Sequence, residues 1–319
     1  MKDPENIPST PNEAFLNSIY SNTYYQVPLW YDSIGFRNNT LKYYSAGEAG
    51  DAGTAEDFLV NSKYFGQNKE FQFSVGVFFE DAHMMMVHNR SDPWGNNRHF
   101  DYSGFEKISL GKGIRLPVSF GDVIKGRRSK REFTGDPMSM DFLASILRCA
   151  SGVSSIGSAS LSDGSQVKIG FRTVASGGGL YPTDIIVAAL NIQGLPGGIY
   201  QYVPQMDESG DFLIRLDENT DPVVRALPHS ESSMNIDNAA AVFLLATNPW
   251  KSMRKYGSRG LRFIFLEAGG ISQNIHLAST ALGIGSCDFG AFIDADIDRS
   301  LGFDGISQTV IHTIITGII

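Results

Sequence analysis

Apolar residues recur at positions 264, 268, 271, 275, 278 and 282, in steps of four and three. That spacing puts them on one helical face and predicts a long amphipathic helix from about Gly260 to Leu282. A second stripe of the same helix reads Gly260, Phe263, Glu267, Gly270 and Asn274. It is mostly small and polar, so something flat or polar is expected against it. A shorter helix is predicted over 139–152. Its apolar positions 142, 143, 146, 147 and 150 share a face, Ser139 suits the N-cap and Gly152 lies past the end. "DIIVAALNI" (184–192) and "NAAAVFLLATN" (238–248) are compact apolar runs that predict buried strands. "GGIYQYVPQMDESGDFLIRL" (197–216) reads as a hairpin turning at Asp207–Asp211.

The upstream pattern is less regular. Residues 1–12 are polar with three prolines, and 13–44 are rich in aromatics. Residues 45–54 are turn-prone, 55–65 predict a short helix, "FQFSVGVFF" (71–79) a strand, and 89–99 a loop. The chain therefore divides into an irregular N-terminal extension, 1–106, and an α+β domain, 107–319. No internal repeat is visible.

Composition narrows the function classes. At 319 residues, 42% hydrophobic and 19% charged, the chain can bury a large core. A net charge of -8 argues against nucleic-acid binding, which needs a broad basic face. No stretch approaches the roughly 20 apolar residues that span a bilayer. The N-terminus lacks the apolar core of a signal peptide. Cys149 and Cys287 are far apart without CxxC spacing, so no structural disulfide is expected and the cytoplasm is the default compartment.

Against that acidic balance, two short windows concentrate positive charge. "KGRRSKR" (125–131) and "RKYGSRGLR" (254–262), with Lys251, hold 10 of the 26 lysines and arginines. In the first, Arg127, Ser129 and Arg131 alternate, so an extended segment points all three the same way. Two guanidinium forks around a hydroxyl suit a phosphate; a solvated linker is the plainer reading of such a run. "ASGGGLYP" (175–182) has three consecutive glycines that let backbone approach a ligand, or simply form a turn. "ALGIGSCDFGAF" (281–292) follows a helix rather than a strand, which argues against a dinucleotide fingerprint. The six histidines give no ligand set, Cys287 reads as a buried structural cysteine, and no GxSxG elbow is present.

The order of these pieces carries more than each alone. RRSxRxF (127–133) is followed by SGGGLYP (176–182), GIYxY (198–202) and KYxxRGxR (255–262), then by a helix with ExxG (267–270) and QN (273–274). Over about 107–317 the chain resembles the SagB-type branch of the nitroreductase superfamily, FMN-dependent dehydrogenases that oxidise azolines in ribosomal peptides. The resemblance implies a nitroreductase-like mixed or antiparallel sheet flanked by helices. It also implies an FMN site shared across a homodimer, a modified precursor peptide as substrate and a cyclodehydratase complex as partner. Arg127, Ser129 and Arg131 would hold the phosphate and ribityl chain, with Arg128 contributing mostly backbone. Ser176, Gly177, Gly178 and Leu180 would approach the flavin from the partner subunit. Asn274, Phe289, Gly290 and Ala291 would lie near the ring. Lys255 and Tyr256 match the adjacent Lys-Tyr pair that such dehydrogenases use for catalysis. One of them would take a proton while a hydride leaves for the flavin. Repulsion from Arg254 and Arg259 is expected to push Lys255 towards neutrality.

The chain departs from the family in two places. It ends in "ITGII" without the cations many relatives place beyond the last strand, and residues 1–106 match poorly. Those residues would bind peptide or wrap a dimer. Two other functions stay open. One is an NAD(P)H-dependent flavin reductase of dehydroamino acids, nitro groups or quinones. The other is a non-catalytic scaffold subunit of a peptide-modifying synthetase.

Overall fold

A computed structural model describes residues 104–319, except 117, 207–209 and 229–233, together with Phe58, Leu59, Ser62, Lys63 and Val75. The chain divides into two units, 1–68 and 69–319. In the first, Phe58 and Leu59 are helical, in line with the short helix expected there. In the second, Val75 is helical where a strand is expected. The readings of 1–54 and 89–99 lie outside the described residues. Everything below concerns the second unit.

Its frame is a seven-stranded sheet, antiparallel throughout. The strands are β1 (Lys107–Ser109), β5 (Thr183–Ala189), β7 (Gly198–Val203), β8 (Phe212–Asp217), β9 (Ala241–Thr247), β10 (Ile284–Asp288) and β11 (Thr309–Ile318). They lie in the order β1-β8-β7-β5-β9-β11-β10. The short β2 (Met138–Ser139) and β6 (Ile192–Gln193) pair in parallel, and β3 (Val153–Ser160) with β4 (Gln166–Arg172) forms a separate hairpin.

β9 lies between β5 and β11, and all seven of its residues are buried. Ala241, Phe243 and Leu245 face one core, while Val242, Leu244 and Ala246 face the other. This two-sided burial is why "AVFLLAT" reads as an unbroken apolar run rather than an alternation. Each large side chain buried here is worth roughly 1.5–3 kcal/mol.

Two helices cover the first face. α2 (Met140–Ser151) is capped by the Ser139 side chain, which accepts from the Phe142 amide. α5 (Gly260–Ala281) packs Ala268, Ile271, Ile275 and Ala278 into the same core, and Ile264 is buried too. Short helices α3 (Asp221–Arg225) and α6 (Asp294–Ser300) cover the opposite face. Helix α1 (Phe120–Gly126) precedes the basic segment, and α4 (Pro249–Tyr256) precedes α5.

Both helices and all the strands predicted in the second half are present. The β3–β4 hairpin is an addition that the apolar pattern did not announce, because most of its residues are exposed. Among the described residues no helix is long and apolar enough to cross a membrane.

Candidate active site

Lys255 and Tyr256 end α4, which closes at Gly257 (φ 55). A single 3-10 turn, Gly257–Arg259, then leads into α5. The two thus sit at the end of a separate helix, not at the start of the long one. Lys255 is only 4% exposed despite its charge. Burial pulls its ammonium below the usual lysine range and pushes the Tyr256 phenol up. The cause is desolvation rather than the expected repulsion from Arg254 and Arg259. Phe263 of α5 meets the Tyr256 ring edge-on at 4.8 Å.

The glycine segment lies directly on this pair. Gly177–Gly179 form one 3-10 turn, with Gly178 at φ 67 and Gly179 at φ 66. A Cβ at Gly178 would fall 2.5 Å from the Tyr256 hydroxyl and 3.1 Å from Lys255 Nζ. One at Gly177 would meet Phe263 at 3.0 Å. Close approach thus disfavours a side chain at Gly177 and Gly178, and backbone conformation does so at Gly178 and Gly179. Leu180 is fully buried and packs with Ile169 and Tyr256.

Below that segment sits Glu267, 2% exposed. Its Oε1 accepts from the Thr183 amide at 3.1 Å, and the Ser176 hydroxyl bears on the same carboxyl. Oε2 has no hydrogen-bond partner. Burial raises the carboxyl to about 7, against the pull of Ser176 and of the Arg172 charge. Arg172 lies over the Tyr181 ring, donates from its backbone N–H to the Tyr181 hydroxyl, and reaches Ser151 Oγ at 3.1 Å. The small, polar stripe of α5 is thus covered by the protein itself. Phe263 meets Gly177, Glu267 holds Thr183, and Gly270 faces Val174. Asn274, half-buried, donates to the Ala150 carbonyl at 3.4 Å.

The basic segment runs beside β10. Lys130 N–H donates to Ser286 O, and Thr134 N–H to Ile318 O. Phe133 lies on the cross-strand pair Gly285 and Gly317, where a Cβ would fall 3.1 and 2.7 Å from its ring. Arg127, Ser129 and Arg131 all bear on the Cys287 thiol. Burial pushes that thiol up, while the two guanidinium charges and a Ser129 hydrogen bond act the other way. All three are thus within electrostatic reach of one side chain on β10. Arg128 turns back to the carbonyls of Lys125 and Arg127.

One residue further on, Asp288 gathers three side chains from two elements, α5 and β11. Its carboxylate accepts from Ser272 Oγ at 2.6 Å, and His312 Nε2 lies at 2.7 Å and His276 Nε2 at 3.0 Å. His276 Nδ1 in turn contacts Ser286 Oγ at 2.7 Å. Partial burial acts to raise the Asp288 carboxyl, but the bonds from His276, His312 and Ser272 hold it well below the carboxylate range. A register shift between Val310 and His312 lets Val310 pack on one face of the sheet while His312 reaches Asp288. Phe289 follows, tied to Thr313 through its backbone N–H and carbonyl, and Gly290 and Ala291 are exposed.

The predicted residues therefore fall into two groups. Gly177 and Gly178 join Lys255 and Tyr256. Arg127, Ser129 and Arg131 gather beside β10, which runs into Phe289. Phe263 marks the first group on α5, while the basic segment is entered from Gly126, which faces Thr280 near the far end of the same helix. Sequence reasoning missed the Asp288 cluster, whose members come from α5, β10 and β11 at no recognisable spacing. Among the described residues no group of histidine, cysteine and acidic side chains is arranged to hold a metal.

Residues 124–318 match the Nitroreductase family. The chain belongs to that family. A curated Methanocaldococcus jannaschii relative that carries the name nitroreductase is 34% identical over 195 residues, covering 59% of this chain and 88% of the relative. A Ralstonia eutropha structure of the family superposes with TM-score 0.52 at 20% identity, over 66% of this chain and 89% of that one. One from Anabaena variabilis gives 0.52 at 19%, over 69% of this chain but only 42% of that one. At those identities the structures speak for the fold alone. The protein is thus a nitroreductase-family oxidoreductase built on an antiparallel sheet flanked by helices.

Proposed function

We propose that this nitroreductase-family protein is an FMN-dependent dehydrogenase that oxidises thiazoline or oxazoline rings to thiazoles or oxazoles in a ribosomally made, modified peptide. The observation that carries the reading is the convergence of a buried amine and a phenol on Gly178. A nitro or quinone reductase that takes its electrons from a nicotinamide has no evident need of a desolvated lysine there. Aromatising an azoline removes one proton and one hydride. Bound FMN would supply the hydride acceptor. Burial favours the neutral amine of Lys255 and disfavours the phenolate of Tyr256. Lys255 Nζ is therefore the base and takes the ring proton, while Tyr256 stays a hydrogen-bond donor.

The residues fit the cofactor. Two guanidinium groups and a hydroxyl that all act on one thiol of β10 would make a donor set for a phosphate dianion. Phe289, Gly290 and Ala291, running on from β10, would flank the ring, and Asn274 would face it from α5. Ser176, Gly177, Gly178 and Leu180 would approach from a second copy in a homodimer. A cyclodehydratase supplies the azoline, so a complex with one is the expected assembly.

The decisive experiment incubates the purified, flavin-loaded protein with a thiazoline peptide under air and weighs the product. A loss of about 2 Da per ring is expected, two hydrogens as the chemistry requires. Lys255→Ala and Tyr256→Phe should keep the flavin and lose turnover. Full activity in both variants would remove the base assignment. A second reading, reduction of a nitro group or quinone at the expense of NAD(P)H, draws on the name of the 34% identical relative. Bleaching of the flavin by NAD(P)H without any mass change in the peptide would select it. Peptide binding by a protein that takes up no flavin would point instead to a scaffold.

A further inference from the structure

We propose that Glu267 is a positioning residue that holds the 176–183 segment against Lys255 and Tyr256 by tying both ends of it to one buried carboxyl. The inference rests on the reading of that pair given above for its kinetic consequence, but its structural content stands apart from it.

Residues 176–183 contain little that would set their own shape. Gly178, Gly179 and Tyr181 all have positive φ, and only one turn hydrogen bond, Gly179 N–H to Ser176 O, lies within the backbone of the segment. Its geometry has to come from outside. At one end, the Ser176 hydroxyl bears on Glu267 while its oxygen accepts from the Tyr181 amide at 2.9 Å. At the other, the Thr183 amide donates to Glu267 Oε1 at 3.1 Å. Between these ties Gly178 rests on the amine and the phenol. One turn earlier on α5, Phe263 supports both Gly177 and the Tyr256 ring. A carboxyl that is 2% exposed, with one oxygen unpartnered, is costly to bury. An apolar residue would fill the space at less cost, but would leave the Thr183 amide without its acceptor.

The test compares amide hydrogen exchange in the full-length, flavin-loaded protein for wild type, E267Q, E267L and S176A, read on peptides spanning 176–183. Gln keeps an oxygen acceptor in the same place, so E267Q should exchange like wild type. E267L should exchange on the order of tenfold faster within 176–183, and S176A within 176–181, with α2 and β9 unchanged, as expected for local rather than global opening. On an azoline peptide, E267L should lose on the order of tenfold in kcat with little change in KM, and E267Q should recover it. Wild-type exchange at 176–183 in both E267L and S176A would overturn the proposal, as would an E267Q variant as open as E267L. If E267L loosens the whole domain, S176A decides, read at Thr183. It removes the Ser176 contact to Glu267 together with the acceptor of the Tyr181 amide. Faster exchange confined to 176–181 with Thr183 protected supports the Thr183–Glu267 tie, and uniform exposure through Thr183 overturns it. Absence of azoline oxidation with the exchange pattern intact would instead overturn the assigned reaction and leave the positioning role standing.

Discussion

At the scale of single residues, two neighbouring glycines separate strain from contact. Gly178 and Gly179 have nearly the same positive φ, but a Cβ at Gly179 has no atom within 4 Å. Alanine at either position should cost about 1 kcal/mol of backbone strain, visible as similar small drops in thermal midpoint. Only Gly178→Ala should also displace the Tyr256 hydroxyl and Lys255 Nζ, lowering kcat at least tenfold. Equal kcat in the two variants would mean that the contact has no catalytic weight. Glu267 gives a second test, in stability. Its folded carboxyl is raised to about 7 from the ordinary glutamate value of 4.5, so the folded state holds the proton more tightly. Its contribution is therefore fully present below about pH 4.5 and is lost as pH rises through 7. Burying the ionised form costs at most about 3 kcal/mol. Glu267→Gln should thus gain stability over wild type at pH 8 and gain little at pH 5. Urea denaturation at the two pH values reads the difference.

At the scale of elements, legibility followed burial. β9 and α5 were readable because their apolar residues face a core, so that periodicity alone fixed type and position. The β3–β4 hairpin was not, since most of its side chains are exposed and leave no period. Of the site, the glycine segment and the Lys-Tyr pair were legible as motifs, and Arg127, Ser129 and Arg131 as an alternation. The cause of the Lys255 shift was not, because burial belongs to the packing of α4 and not to its charge pattern. Nor was the seam between α5, β10 and β11, where Asp288 meets Ser272, His276 and His312. That seam carries its own prediction. The depressed Asp288 carboxyl contributes stability above its unfolded value near pH 3.9, and this is lost as pH falls through the still lower folded value. The side chain is 48% exposed, so solvent screening limits the effect to about 1 kcal/mol. Asp288→Asn should be less stable than wild type at pH 6, and the gap should close in acid.

At the scale of the whole molecule, the two halves of the site raise a question of assembly. The proposed phosphate donors belong to the segment beside the edge strand β10, and the amine and phenol lie at the end of α4. A two-fold pair of chains sharing two sites would bring the donors of one copy to the glycine segment of the other. The arrangement is testable by complementation. A chain carrying Arg127→Gln with Arg131→Gln should bind FMN poorly, and a Lys255→Ala chain should bind it without turning over. Alone, each should be inactive. In a heterodimer of the two with shared sites, both lesions fall in one site and the other site is wild type. Random mixing makes half the dimers heterodimers with one intact site each, so about a quarter of all sites should work. If each site instead comes from a single chain, every site in every mixture carries a lesion and no activity returns. Recovery near a quarter of the wild-type rate after co-refolding, against none on mixing preformed dimers, would place the arginines and the lysine of one working site on different copies.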